Sequence, residues 1–348
     1  MVMTSEAHIH AVGYTAAGPV SDARSFVSAA IPAPSPGPRD LLVAVRATSV
    51  NPVDVKVRAR TPPSHGFRVL GFDAAGVVIG VGSAVAGFAV GDEVYYAGAL
   101  DRPGSNADLQ VVDERIVARK PSAFSFADAA ALPLTALTAY EGLADKLQLT
   151  ESSEGTLLMV GGAGGVGSMV IQLVRSLYPG VHVIATASRR ESATWVRDLG
   201  AHDVVDHHGD VVAQLAQAAP EGVDWIFTTN SHGQLPTYVS VLKPFGQIVA
   251  IDDPSHVDVV SLKPKALTWH WEFMFARSLH QAADLDRQGA MLARVAELAE
   301  SGRIRTTATT VLVGRTADNL REAHRLVESG SVIGKVVLAD PAGPAPTL

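Results

Sequence analysis

Two rhythms of apolar and polar residues divide the chain. As far as about residue 130 the apolar runs are short and bounded by turns: Leu41 to Val50, Ala75 to Val81 and Glu93 to Ala97 read as strands. Pro and Gly gather between them, at Ile31 to Pro38 and Asp101 to Gly104, where loops are expected. Phe124 to Leu143 then reads as helical. From Thr156 onward short apolar runs alternate with helix-length segments: TLLMVG, GVGSMVIQLVRSL, VHVIATA, RESATWVRDLGA, DVVDH, VDWIFTT, YVSVLKPFG and QIVAIDD. Strands alternating with helices of that length predict a parallel sheet wound by right-handed crossovers. Thr268 to Phe275 alternates Trp269, Trp271, Phe273 and Phe275 with His270, Glu272 and Met274. That period of two predicts the last strand of the sheet. Beyond it, Ala282 to Ser301 reads as an amphipathic helix, and Ile304 to Leu312 and Val332 to Ala339 as strands. No internal repeat is visible.

Ala74 to Gly91 and Leu157 to Val174 carry no charge, and the first contains Gly76-Val-Val-Ile-Gly80. Several glycines interrupt both, and neither has basic flanks. A strand-turn-strand reading suits the first better than a membrane span. Composition narrows the class further. With 348 residues, two domains are expected. Hydrophobic residues are 47% and charged residues 18%, as in a globular protein with a large core. A net charge of −7 argues against nucleic acid or anionic membrane as the main partner. There is no cysteine, which excludes disulfides, thiolate nucleophiles and cysteine-ligated zinc. Met1 to His10 lacks the basic and apolar regions of a secretory signal, so a cytoplasmic location is expected.

The first helix of the alternating region opens on VGGAGGVGS, Val160 to Ser168, with five glycines in nine residues. Gly162, Gly164 and Gly167 satisfy G-x-G-x-x-G, immediately after an apolar strand and at the start of a helix. That setting is the one a dinucleotide site requires. The first glycine permits a tight turn, the second admits a pyrophosphate to the backbone, and the third lets helix and strand pack closely. The helix N-terminus then holds the phosphates. Ala163, Gly165 and Val166 complete the loop. At the end of the next strand an NAD site usually places a carboxylate. Here Ser188, Arg189 and Arg190 stand there instead, and guanidinium binds phosphate oxygens bidentately. The expected cofactor is therefore NADPH; the alternative is a solvated first helical turn. His202 to Asp210, HDVVDHHGD, has the composition of a metal site but lies where the adenine edge is expected, so His207 is read as an adenine contact or a surface residue.

Over nearly its whole length the chain resembles the medium-chain dehydrogenase/reductase superfamily, within it the zinc-free quinone oxidoreductase-like branch. The markers are SVNPVDVKVRA (Ser49 to Ala59), GFDAAGVV (Gly71 to Val78), VGDEVYY (Val90 to Tyr96), AALPLTALTAYEGL (Ala130 to Leu143), the glycine loop and GKVVL (Gly334 to Leu338). The resemblance implies an α/β protein. A Rossmann doubly wound parallel-sheet domain, residues 134–275, would be clasped by a GroES-like, β-rich catalytic domain built from residues 1–133 and 276–348, with the active site in the cleft. It also implies a homodimer joined through the Rossmann-sheet edge, covering a strand that would otherwise invite pairing. Thr138 matches a threonine near the nicotinamide, Ala163 to Val166 the pyrophosphate loop, and His207 an adenine-side aromatic. The alcohol dehydrogenase branch has Gly-His-Glu, with a zinc-binding histidine, where this chain has Gly71-Phe72-Asp73. No metal is therefore expected. Within Asn51-Pro52-Val53-Asp54, the family's tyrosine two positions on is replaced by Lys56.

Without zinc, alcohol oxidation loses its usual Lewis acid. Reducing a quinone or an α,β-unsaturated carbonyl needs only hydride delivery and a cation or donor at the oxygen. The expected activity is NADPH-dependent reduction of such a small molecule, with Lys56, Asn51 and Asp54 at the catalytic position. A zinc-independent carbonyl reductase and a non-catalytic NADPH-binding protein are the alternatives. Lys56 reads equally well as an ion-pair partner of Asp54 or Asp73.

Overall fold

A computed structural model describes residues 7–341, so residues 1–6 of the N-terminal stretch read above lie outside the described residues. In chain order the strands are β1 (His8–Tyr14), β2 (Val27–Pro32), β3 (Asp40–Val50), β4 (Arg68–Val69), β5 (Asp73–Val81), β6 (Glu93–Tyr96), β7 (Leu109–Asp113), β8 (Val117–Arg119), β9 (Gly155–Val160), β10 (Val181–Thr186), β11 (Asp203–Val205), β12 (Val223–Thr228), β13 (Leu242–Ala250), β14 (Thr268–Trp271), β15 (Ala308–Val313) and β16 (Lys335–Ala339). The helices are α1 (Pro52–Arg60), α2 (Phe126–Ala130), α3 (Pro133–Tyr140), α4 (Gly165–Leu177), α5 (Arg190–Asp198), α6 (Val211–Ala218), α7 (Leu235–Val241), α8 (Ala276–Leu279), α9 (Arg287–Glu300) and α10 (Ala317–Glu328). The chain divides into two units: Met1–Leu134 with Phe275–Leu348, and Thr135–Met274.

The central unit carries a six-stranded sheet in the order β11-β10-β9-β12-β13-β14, with every neighbouring pair parallel. Numbered along the chain, that is the 3-2-1-4-5-6 order of a doubly wound dinucleotide-binding sheet. Ile184, Leu158, Ile226 and Ile248 stand side by side across four strands and enter one buried cluster. Leu157 and Met159 are equally buried on the other face. Burial on both faces is why these strands read as continuous apolar runs. The order reverses between β9 and β12, so the carboxyl ends of those strands form the switch point at which such sheets bind ligands.

The other unit is rich in antiparallel sheet. Its larger sheet runs β15-β16-β3-β5-β6-β8, with β7 also pairing β3, and a smaller one runs β2-β1-β4. Among its described residues only β15 and β16 pair in parallel. β3 is the axis of this unit, because β16, β5 and β7 all pair with it.

Several expected boundaries move, each for a local reason. The helix expected over Phe124 to Leu143 breaks into α2 and α3, because Pro133 has no N–H to continue the ladder and instead opens the next helix. The segment YVSVLKPFG leaves helix at Val241, three residues before Pro244, and becomes the start of β13. The strand expected over Thr268 to Phe275 ends at Trp271. Residues 282–286 are not helical, and α9 begins at Arg287, after Gln281 with a φ of 46°. Strand structure expected from Ile304 begins at Ala308, and that expected from Val332 begins at Lys335, after Gly334 with a φ of 63°. No helix of the described residues is long and apolar enough to cross a membrane.

Candidate functional site

The glycine loop follows β9 at the switch point. A Cβ on Gly162 would lie 2.9 Å from Ala185 Cβ of β10, and one on Gly167 would lie 2.6 Å from Gly162 Cα. Both positions therefore demand glycine for packing. Gly164 differs: the nearest atom to a Cβ there would be Gly161 O, 3.6 Å away. Gly164 is the N-cap of α4 and supplies no side-chain cap, so the first-turn N–H groups of Gly165, Val166 and Gly167 have no side-chain acceptor. The loop is a helix start without a side-chain cap, and a Cβ on its middle glycine would meet the backbone only at ordinary van der Waals distance, which suits a site for an anion. Ala163 lies in the turn just before Gly164. Gly161 N–H donates to Thr186 Oγ1 at 2.9 Å and Gly162 N–H to Thr186 O at 3.2 Å, which fastens the loop to the end of β10.

Two residues beyond Thr186, Ser188 is partly exposed, and Arg189 and Arg190 are exposed. Arg189 is the N-cap of α5; its N–H donates to Ser192 Oγ at 3.1 Å, and Ser192 Oγ–H donates to Arg189 O at 2.8 Å. The two arginines thus stand at the start of a helix that follows the carboxyl end of β10. Thr138 is buried in α3. His207 lies in an exposed turn after β11, its ring 4.5 Å from that of His208. The surrounding acids and histidines are used locally. His202 Nδ1 accepts from Val183 N–H at 2.8 Å, Asp203 pairs with His182 at 2.7 Å, and Asp210 caps α6. No three metal-ligating side chains come together among the described residues.

In the β-rich unit, Asn51 caps α1. Its N–H donates to Asp54 Oδ2 at 2.8 Å, and Gly71 N–H donates to Asp54 Oδ1 at 3.2 Å. Asp54 is 1% exposed, and burial pushes its carboxyl up to about 7. The Asn51 side chain continues inward. Its amide donates to Asp73 Oδ2 at 2.8 Å, and its Oδ1 accepts from Lys335 Nζ. Lys335 also donates to Val50 O at 2.8 Å and to Asp73 Oδ2 at 3.3 Å, which uses all three ammonium protons. Asp73 further accepts Ser49 Oγ–H and Leu134 N–H, each at 2.7 Å. Burial pulls the Lys335 ammonium down, against the opposing pull of Asp73 and Asp54. Lys335 is thus a cation hydrogen-bonded to Asp73. Lys56 is partly buried on the turn of α1 between Asp54 and Arg58. On the same helix Arg58 is fully buried, pairs with Glu328 of α10, and donates to Gly18 O at 2.5 Å and His324 Nδ1 at 3.4 Å.

The sequence pattern did not reveal the Lys335–Asp73–Ser49 network. A signal was present: a lysine opening the apolar run KVVL, and an aspartate inside GFDAAG, must each find a partner if they enter the core.

Residues 37–122 match the alcohol dehydrogenase GroES-like domain family, and residues 199–338 match the zinc-binding dehydrogenase family. A zinc-type alcohol dehydrogenase-like protein of Staphylococcus epidermidis is 39% identical over 94% of this chain and 98% of its own length. The 2-methylene-furan-3-one reductase of Solanum lycopersicum is 34% identical over 86% of this chain and 71% of its own. The crystal structure of a candidate zinc-dependent alcohol dehydrogenase from Rhizobium etli CFN 42 superposes with a TM-score of 0.93 at 43% identity, covering 98% of this chain and 100% of that one. The residues here do not fit the catalytic zinc those descriptions imply. Phe72 is buried edge-to-face against Phe275, ring centroids 4.9 Å apart, and both oxygens of Asp73 are already engaged. With a dinucleotide-type sheet and relatives over nearly its full length, the chain belongs to the medium-chain dehydrogenase/reductase superfamily, in its zinc-type alcohol dehydrogenase-like branch, and is an oxidoreductase of that type.

Proposed function

We propose that the protein reduces a quinone or an α,β-unsaturated carbonyl with NADPH and without zinc. The observation that carries this reading is the pairing of an open glycine cradle at the switch point with Arg189 and Arg190 at the end of the next strand. A dinucleotide with a 2′-phosphate matches both features. When bound, the nicotinamide supplies hydride to the β-carbon of the conjugated system. Gly165, Val166 and Gly167 hold the pyrophosphate through backbone N–H groups, and Thr138 and His207 serve the two ends of the cofactor. Lys56 supplies positive charge where negative charge gathers on the carbonyl oxygen, and a proton to complete the reduction. Asn51 and Asp54 orient α1 and so hold Lys56 in place. The 2-methylene-furan-3-one reductase among the relatives supports a conjugated substrate. Asp73 bound to Lys335, with phenylalanine before it, supports chemistry without zinc. A panel of small enones, quinones and aldehydes, each with NADPH and NADH, tests the proposal. Enones or quinones with NADPH are expected to turn over fastest; turnover of aldehydes alone would assign a carbonyl reductase instead, and no turnover a binding protein.

A further inference from the structure

The proposed cofactor site is divided between two helices. The pyrophosphate cradle opens α4, and the arginines open α5. Pyrophosphate binding depends on α4 alone. Recognition of a 2′-phosphate depends also on where α5 starts relative to that cradle. The register between these helices therefore bears on one cofactor and not on the other.

A partly buried polar contact ties the two helices together. Trp195 Nε1–H, on the second turn of α5, donates to Ser168 Oγ at 2.8 Å. Ser168 follows the last glycine of the loop, is 0% exposed, and has its own N–H bound to Gly164 O at 2.9 Å, inside the first turn of α4. A hydrogen bond in such a place is directional, and leaving one member unpaired is costly, so it resists sliding of one helix along the other. The apolar contact beside it is less discriminating: Val196 Cγ1 would lie 3.3 Å from a Cβ on Gly162. The Thr186 contacts fasten the loop to β10 but stop before the arginines. Ser192, 4% exposed, locks the Arg189 backbone to the first turn of α5, so the arginines move with the helix.

We infer that Trp195 and Ser168 are positioning residues that set selectivity for NADPH over NADH, a role that rests on the NADPH reading above. Neither side chain touches the cofactor in this account. Each holds the start of α5 at the distance from the α4 cradle that a 2′-phosphate spans.

W195F removes the donor and keeps most of the ring. S168A removes the same bond from the other side without touching the indole, and so guards against a folding defect in W195F. Calorimetric titration with NADPH, NADH, 2′,5′-ADP and 5′-AMP reads the effect. Each variant is expected to weaken NADPH and 2′,5′-ADP about tenfold, with NADH and 5′-AMP within twofold of wild type, and the double variant is expected to match the singles. Equal weakening of all four ligands, or no change in the NADPH to NADH ratio in either variant, would reduce the bond to an ordinary helix contact. The double variant R189A/R190A separates the two claims. If it leaves NADPH binding intact, the 2′-phosphate reading fails. If it weakens NADPH while W195F and S168A leave the ratio unchanged, only the positioning role fails.

Discussion

At the scale of single residues, three of the four charged side chains of α1 have different surroundings. Asp54 is held by backbone N–H groups, Arg58 by α10, and Lys56 lies between them, partly buried. The K56M variant keeps length and removes charge. On the proposed role its turnover number falls about a hundredfold, while NADPH affinity and melting temperature stay near wild type. Steady-state kinetics with calorimetry checks this; preserved turnover, or loss only in step with stability, assigns Lys56 to structure. Asp54 gives a pH signature. Its carboxyl titrates near about 7 in the folded chain, against about 3.9 when unfolded. Between those values the folded state holds a proton that the unfolded state has released, so this group's contribution to stability declines as pH rises and is lost above about 7. D54N has no such titration, and its amide places a donor against one of the two N–H groups, at a cost of about 1–3 kcal/mol. Wild type is therefore expected to be the more stable at pH 5. Its advantage should narrow toward pH 8, by at most about 1.4 kcal/mol per pH unit within the window. Denaturant unfolding at several pH values measures the gap, and a gap that widens contradicts the assignment.

At the scale of elements, α1 is clamped to α10 through Arg58, His324 and Glu328. Burial, with the Arg58 charge beside it, pushes the His324 imidazole down to about 3. The unfolded chain takes up that proton near about 6.5, so the stability is present above that pH and is lost as pH falls toward 3. H324L should flatten the acid limb of a melting-temperature profile below pH 6.5; an unchanged slope would show that another group sets it. The β14 edge carries a second expectation. Among the described residues β14 pairs only with β13, and Trp271 and Phe273 are each about half exposed. An uncovered edge of that kind invites pairing. Sedimentation at micromolar concentration is expected to show a dimer, and W271E to shift it to monomer; a monomeric wild type would sink this expectation. How legible these elements were follows from their burial. The strands of the parallel sheet are buried on both faces and announce themselves as apolar runs, and α4 starts and stops where its glycines and its apolar face say. By contrast β2 alternates partly buried with exposed residues, and α6 buries only Leu215, so each leaves a weak pattern. The buried polar network of the β-rich unit was the least legible. Asp73 and Lys335 are far apart in sequence, and only the pairing of β16 with β3 and of β3 with β5 brings them together.

At the scale of the whole molecule, the two units divide the work. The central sheet carries the glycine loop and a pair of arginines, and the β-rich unit carries the charged helix α1, a buried Asp73–Lys335 network, and Phe72 where the resemblance puts a ligand histidine in zinc-dependent members. With Asp73 engaged and no cysteine in the chain, chelation followed by dialysis is expected to leave turnover intact. The most direct measurement combines that treatment with isotope tracing. Chelated protein is given NADPH deuterated at the transferable position together with a small enone, and the product is analysed by NMR. The account predicts a saturated ketone with deuterium on the carbon β to the carbonyl, formed as fast as by untreated protein. Deuterium on the carbinol carbon of an allylic alcohol, or activity lost on chelation and restored by zinc, would contradict it.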